Sequence, residues 1–408
     1  MKCRHCGRGL DLPFLDLGNA PPSNAYLSEA ALRAPEVTYP LRLLVCDGCW
    51  LVQTEDYAGR EQLFDADYAY FSSVSTSWLD HARRYVTGVV RRFELDGSST
   101  VAEVAANDGY LLQYVRAAGI PCYGVEPTAS TAAAARSRGL DIVERFFGAD
   151  LAGELVTAGR SADLIVANNV LAHVPDINDF LDGFRILLKP SGVATFEFPH
   201  LLRMVADNEF DTAYHEHFSY LSLTFLQSAL ARAGLQMFDV ESLSTHGGSL
   251  RVYVQRSVCG AHSVSPAVGK QLAEERAAGV GEASFYRSFQ ARAESVKNDF
   301  LAFLLQARQR GHRVAGYGAA AKGNTLLNFA GVRRDLLPYV VDRSASKVGR
   351  YLPGSRIPIL PVEVLRERAP DYLVVLPWNI AAEVAAQTRD LAQAGMRYVT
   401  AVPSLRVS

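Results

Sequence analysis

The spacing of apolar and polar positions changes along the chain, and each change marks an element. Val101-Ala-Glu-Val104 is an apolar run, Asn107-Asp-Gly109 a tight turn, and Leu111 to Ala118 opens a helix. Cys122-Tyr-Gly-Val-Glu-Pro127 reads as a second strand ending in Glu126. The run from Ser161 to Asn168-Asn169 reads as the fourth strand of the same unit, with His173 on the loop behind it, and Gly192 to Pro199 as the fifth. Ser222 then caps a helix with Leu223, Leu226 and Leu230 at helical spacing and Gly234 as its stop. Leu250, Val252 and Val254 alternate with Arg251 and Tyr253, which predicts a strand. Residues 266–310 are helix-forming and rich in Ala, Glu, Gln and Arg. After them, Arg313 to Leu327 begins a second strand-turn-helix. It is followed by strands at Leu337 to Asp342, Asp371 to Trp378 and from Tyr398.

Two α/β units in a 408-residue chain exceed one ordinary core. The pattern divides the chain into 1–66, 67–260, a helical connector at 261–310, and 311–408. A net charge of −2 gives no electrostatic case for nucleic acid or an anionic membrane. The polar start Met1-Lys-Cys-Arg-His-Cys6 lacks a signal-peptide core, and no apolar run is long enough to span a bilayer, so a cytoplasmic location is expected. No dimer stripe is readable, which leaves the oligomeric state open and a monomer admissible.

Four of the six cysteines form two C-x-x-C pairs, Cys3/Cys6 and Cys46/Cys49. Each pair can hold one edge of a tetrahedral metal, and four thiolates leave no position for a catalytic water, so a structural Zn2+ is expected. Residues 1–66 are too few for much of a core, so metal would supply folding energy. Cys122 and Cys259 are left over as buried thiols.

The densest chemistry is Tyr214-His-Glu-His-Phe-Ser-Tyr220, placed between the fifth strand and the Ser222 helix. In an open α/β sheet such loops line the crevice at the carboxyl ends of strands. Histidine titrates near neutrality, and the adjacent Glu216 could fix its tautomer. His246, before Gly247-Gly248, would stand at the rim. Upstream, Tyr68 and Tyr70 alternate in an aromatic, hydroxyl-rich stretch, as either a lid or a docking anchor. Glu126 stands where an acid holds ribose hydroxyls. The first turn carries Ala105 and Ala106 where a diphosphate-binding G-x-G-x-x-G would need glycines, which argues against a dinucleotide there. In the C-terminal unit Gly316, Gly318 and Gly323 loosen the turn, and Lys322 at the helix start suits a phosphate. That unit would take a nucleotide-sugar or a nicotinamide dinucleotide, with Asp342 as the one acid for the latter's ribose.

The order of landmarks in the central unit resembles the class I methyltransferases. The whole chain resembles the sugar-nucleotide C-methyltransferases of deoxysugar biosynthesis. The resemblance rests on the two cysteine pairs and on Asp67-Tyr-Ala-Tyr-Phe-Ser-Ser. It rests further on Glu103-Val-Ala-Ala-Asn-Asp-Gly109, Asn168-Asn169-Val-Leu-Ala-His173, Tyr214-His-Glu-His217, His246-Gly-Gly-Ser249 and Gly318-Ala-Ala-Ala-Lys-Gly323. Relatives often carry Gly-Ser where Ala105-Ala106 stands. The resemblance implies a zinc-binding N-terminal domain, a central class I methyltransferase sheet and a smaller C-terminal Rossmann-like domain. It implies S-adenosylmethionine as donor and a dTDP-linked 4-keto-deoxysugar as acceptor, with C-3 the favoured carbon. His217 would be the base, with Glu216, Tyr214, His173 and Tyr68 around it. Glu103, Ala105, Asn107, Asp108, Gly109, Glu126, Pro127, Asn168 and Asn169 would hold the cofactor. Tyr70, His246, Lys322, Asn324, Ser344 and Lys347 would hold the substrate. Two rival readings are a 4-ketosugar reductase using NADPH in the C-terminal unit, and a non-catalytic zinc scaffold.

Overall fold

The computed structural model describes residues 1–57 and 71–408, organised on three sheets. The stretch with Tyr68 and Tyr70 lies outside the described residues.

The central sheet has seven strands, in spatial order Leu235–Leu243, Ser249–Arg256, Leu188–Pro199, Ala162–Asn168, Val101–Val104, Cys122–Val125 and Ile142–Val143. Ser249–Arg256 runs antiparallel to both neighbours and the other pairings are parallel. The chain steps outward from Val101–Val104 on one side, then returns to pair Ala162–Asn168 on its other side. That reversal is the topological switch point, where the carboxyl ends of strands leave a crevice. All four residues of Val101–Val104 are buried, as expected of a strand covered on both faces. One flanking helix, Thr76–Arg92, is capped by Ser75, which accepts from the Trp78 amide at 3.3 Å. The expected Ser222 cap is present: its hydroxyl accepts from the Phe225 amide at 3.1 Å at the head of Leu223–Arg232. A cap of this kind contributes about 1 kcal/mol.

The C-terminal sheet is smaller: Ile359–Pro361, Val340–Asp342, Val314–Tyr317, Tyr372–Val375 and Arg397–Thr400 in parallel, with Arg406–Val407 antiparallel at one edge. The expected helical stretch between the units consists of Pro266–Ala278, Ala283–Arg287 and Phe289–Gln309.

The first sheet does not stand alone. Leu12–Ala20, Tyr39–Val45 and Val52–Thr54 pair antiparallel, and the fourth strand, Ser219–Tyr220, comes from the histidine-rich stretch far along the chain. The segment expected as a plain loop between the fifth strand and the Ser222 helix therefore holds more structure. A short helix Leu201–Ala206, a turn at Phe210–Thr212 and this strand lie within it. The small sheet also borrows its core. Phe14 stacks on Phe289 of the long connector helix with ring centroids 4.6 Å apart, and Tyr286 meets it edge-on. Leu27 and Tyr351 exchange two backbone hydrogen bonds of 2.9 Å, which ties the N-terminal segment to the C-terminal unit as well. One expectation fails here. Cys259 is exposed in the turn after Ser249–Arg256, and Cys122 is only half-buried. The apolar run that would cover Cys259 ends at Val254, before the strand's exit.

Candidate active site

The four cysteines of the two C-x-x-C pairs bring their sulfurs within 4.8 Å of one another. The Cys3–Cys49 and Cys6–Cys46 separations are 3.5 Å. Four thiolates at the corners of a zinc tetrahedron stand about 3.8 Å apart, so the donor set fits Zn2+.

A cavity of about 450 Å³ opens at the switch point and continues to the C-terminal unit. Its floor is the strand-end peptide at Ala105 and Asn107, at Glu126 to Thr128, and at Asn168 to Val170. Ala105, Asn107 and Asn169 have φ of +60°, +48° and +52°, so each strand turns sharply as it leaves the sheet. Gly109 follows at φ +79°, where a Cβ would come within 2.2 Å of a Leu140 methyl. The Glu126 carboxylate accepts from the amides of Asn107 and Thr128, both at 2.9 Å. Burial pushes its pKa up. Both amide atoms of Asn168 and Oδ1 of Asn169 are buried without a hydrogen-bond partner among the described residues. Buried polar groups are rarely left so. They fit an adenosine-bearing cofactor with ribose and amine groups to satisfy them. Pro127 also lines the cavity.

Three residues expected here stand behind the wall instead. Glu103 is enclosed in the middle of its strand, where burial drives its pKa well up. Asp108 turns away to accept from Ser73 and Arg138. Gly109 shapes the turn without reaching the cavity. The motif is right in each case, but alternate residues of a buried strand and its exit cannot all face one pocket.

Above the strand ends sit four aromatic groups. His217 is buried, and its Nδ1 donates to the Thr212 carbonyl at 3.1 Å. That bond fixes the tautomer and leaves Nε2 as the acceptor. Tyr214 lies against its face with centroids 3.9 Å apart, and His173 meets its edge at 4.6 Å. Burial, with His173 next in effect, holds the His217 pKa well below its ordinary value. His173 donates from Nδ1 to the Glu216 carbonyl at 2.7 Å, and burial lowers its pKa to about 4. A neutral ring so oriented has its one N–H hydrogen committed to that carbonyl. His246 has φ +56°, places Nε2 3.3 Å from the Asn169 amide nitrogen, and is also pushed down to about 4 by burial.

Glu216 does not do what its position suggested. Its Oε1 accepts from the backbone and side-chain nitrogens of Asn24, at 3.3 and 3.2 Å. The tautomer of His217 is set by a carbonyl rather than by this carboxylate. Glu216 sits in the turn closed by the His217 amide on the Tyr214 carbonyl at 3.0 Å, and its side chain leaves that turn toward Asn24.

The far wall belongs to the C-terminal unit. Lys347 donates to the Ala319 carbonyl at 2.8 Å. Lys322 lies over the Trp378 ring and donates to the His246 carbonyl at 3.3 Å. Burial lowers its pKa, while Asp211 and Glu209 oppose that. Those two acids are themselves pushed up by burial, Asp211 to about 6 and Glu209 to about 7. Asn324 and Ser344 are not at the cavity. Asn324 is enclosed and donates to the Ser23 carbonyl at 2.6 Å, and Ser344 bonds Ser346 on the surface. The Asp342 carboxylate, the acid a dinucleotide ribose would need, accepts from the amides of Ala319 and Ser344.

Several lining residues escaped the sequence reading. Trp78 stacks on His81 and Tyr110 and tilts against His246. It closed the aromatic stretch that drew attention, but its helical position hid its direction. Asn24, Phe146, Thr212 and Asn379 carry no local signal.

Models of three families match in turn: a zinc binding domain over residues 3–64, a methyltransferase domain over 78–240, and a C-methyltransferase C-terminal domain over 244–403. The C-methyltransferase NovU of Streptomyces niveus is 34% identical over 406 residues, which span 100% of this chain and 96% of NovU. The chain belongs to the C-methyltransferase family. It is an S-adenosylmethionine-dependent C-methyltransferase with a zinc-binding N-terminal region. Among solved structures it is similar to magnesium protoporphyrin IX methyltransferase of Synechocystis PCC 6803. That match has 16% identity and a TM-score of 0.37, and covers 44% of this chain and 83% of that one. It is also similar to an S-adenosylmethionine-dependent methyltransferase of Clostridium acetobutylicum ATCC 824, at 14% identity and TM-score 0.36, covering 45% and 92%. No helix among the described residues is long and apolar enough to cross a membrane.

Proposed function

We propose that this C-methyltransferase acts on a dTDP-linked 4-keto-deoxysugar, with C-3 as the methylated carbon, and that His217 is the base. The observation that carries the proposal is His217 itself: a buried, neutral imidazole with its Nδ1 hydrogen committed to Thr212 and its Nε2 lone pair available. It lines the same cavity as the cofactor floor and the two lysines of the C-terminal unit. A ketone acidifies the hydrogens on its neighbouring carbon. His217 Nε2 takes one of them, and the electron pair passes to the ketone oxygen. The Tyr214 hydroxyl, on the ring stacked against His217, stabilises the developing charge on that oxygen. The methyl donor, when bound, supplies an electrophilic methyl group to the resulting carbon nucleophile. Glu126 and the Asn168-Asn169 pair hold the cofactor's polar groups. Lys322 and Lys347 place two cations along the path from the sugar to the C-terminal unit, as a diphosphate needs.

The test is incubation in D₂O with isotopically labelled S-adenosylmethionine and a panel of dTDP-4-keto-deoxysugars that differ at C-3 and C-5. Methyl label at C-3 of the product and solvent deuterium at C-3 of the recovered substrate are expected. Label at C-5, or methylation only of substrates without a ketone, would overturn the reading.

A further inference from the structure

The two residues between Cys3 and Cys6 reach into the active site's foundations from both sides. Arg4 has a side chain only 5% exposed. Its Nε donates to the Phe218 carbonyl at 3.3 Å, and its plane lies over the Phe218 ring. It also donates to the Thr54 carbonyl at 2.8 Å and is anchored by Asp56. Thr54, just past the second cysteine pair, donates from its hydroxyl to the His217 carbonyl at 3.1 Å and from its amide to the Phe218 carbonyl at 3.2 Å. The peptide leaving His217 is thus gripped by the cysteine knuckle and then becomes a strand of its sheet. On the other side, His5 Nδ1 pairs with Asn178 Oδ1 at 2.8 Å, and Asn178 donates back to the His5 carbonyl at 2.9 Å. Asn178 is in the first turn of the helix Ile177–Leu187, which starts four residues after His173 ends the turn Leu171–His173.

We propose that the metal knuckle acts as a clamp for the reaction, with Arg4, His5 and Thr54 as positioning residues that set His217 against His173. Zinc contributes no chemistry to the transfer. It fixes the loop between Cys3 and Cys6, and that loop fixes the spacing of the two imidazoles. A misplacement of 1 Å at such a site costs on the order of 10²-fold in rate. The inference rests on His217 as the base.

The experiment uses the full chain in four forms: zinc-loaded, chelator-stripped, Arg4→Gln and Thr54→Val, with Arg4→Lys as the conservative variant. Amide hydrogen exchange is followed across residues 214–221, zinc content by elemental analysis, and S-adenosylmethionine affinity by calorimetry. Deuterium wash-in to dTDP-4-keto-6-deoxyglucose reports proton abstraction. Expected for Arg4→Gln and Thr54→Val is retained zinc and cofactor affinity within twofold of wild type. Exchange at 214–221 should rise on the order of tenfold as its local anchors are lost. Wash-in should fall by at least as much with KM little changed, and Arg4→Lys should recover part of it. If Arg4→Gln fails to hold zinc, Thr54→Val, which keeps the backbone carbonyl that Arg4 bonds and removes the hydroxyl on the His217 carbonyl, decides. Unchanged exchange at 214–221 in Thr54→Val and in the stripped protein would overturn the clamp. His217→Asn separates the two claims. Wild-type wash-in by that variant removes the base assignment, and hydrogen exchange at 214–221 then decides the clamp by itself.

Discussion

Tyr214 lies across the face of His217, ring centroids 3.9 Å apart and planes inclined by 36°. Both residues line the cavity, so the proposed mechanism has a hydroxyl donor and an imidazole acceptor side by side. Tyr214→Phe keeps the stack and removes the donor. Turnover should fall on the order of 10²-fold, as for loss of an oxyanion donor, with cofactor affinity unchanged by calorimetry. A variant at wild-type kcat would return the donor role to another group.

His217→Asn removes the proposed base while keeping a buried polar group of similar size. Turnover should fall on the order of 10²–10⁴-fold, with S-adenosylmethionine binding intact. Steady-state kinetics beside calorimetry checks both halves.

The pH dependence of turnover follows from the direction of the His217 shift. Its proton leaves well below the ordinary histidine value, so the ring is already a free base at pH 6.5. The acid limb of the kcat/KM profile should therefore fall below pH 6.5. An acid limb at or above 7 would point to a different base.

The buried acids near Lys322 give a stability prediction of the opposite slope. The folded state holds the Glu209 proton to about pH 7, whereas the unfolded chain releases it near 4.5. The folded state thus binds more protons across that window, and Glu209 contributes less stability as pH rises through it. Glu209→Gln has nothing to ionise there. The melting temperature of Glu209→Gln relative to wild type should be more favourable at pH 8 than at pH 5, by thermal scanning at both.

Cys46→Ser removes a zinc ligand, and chelation removes the metal, from a sheet that borrows its core from the connector helix. Metal content should drop and the melting temperature with it, because a structural metal supplies folding free energy that so small a sheet lacks. Equal stability with and without metal would contradict that role for the four cysteines.

Much of the fold was legible because strands and helices with one buried face repeat at fixed periods. Val101–Val104, Cys122–Val125 and the Ser222-capped helix lie where their patterns put them. So was the cluster of four cysteines, since spacing alone brings paired thiols together. The site was legible as a set of loops and less so as a set of side chains. Asp108, Asn324 and Ser344 belong to the right motifs, yet each bonds its own neighbourhood rather than the cavity, and Glu103 is enclosed within its strand. Direction is decided by contacts distant in sequence, and a linear motif does not carry them. Glu216 is the sharpest instance. Asn24, from the opposite end of the chain, draws its carboxylate away from the histidine beside it. Arg4 and Thr54 had no signal because, Asp56 apart, their partners are backbone carbonyls, which any sequence supplies.

The pairing of Val52–Thr54 with Ser219–Tyr220 has a consequence for biosynthesis. A ribosome delivers all four cysteines early, so metal can be captured while most of the chain is still unmade. The small sheet nonetheless keeps an open edge until residue 220 emerges. Unpaired strand edges recruit other strands. A nascent or truncated chain ending before that point is therefore the form most exposed to aggregation, and a fragment of the N-terminal region alone would carry the same hazard.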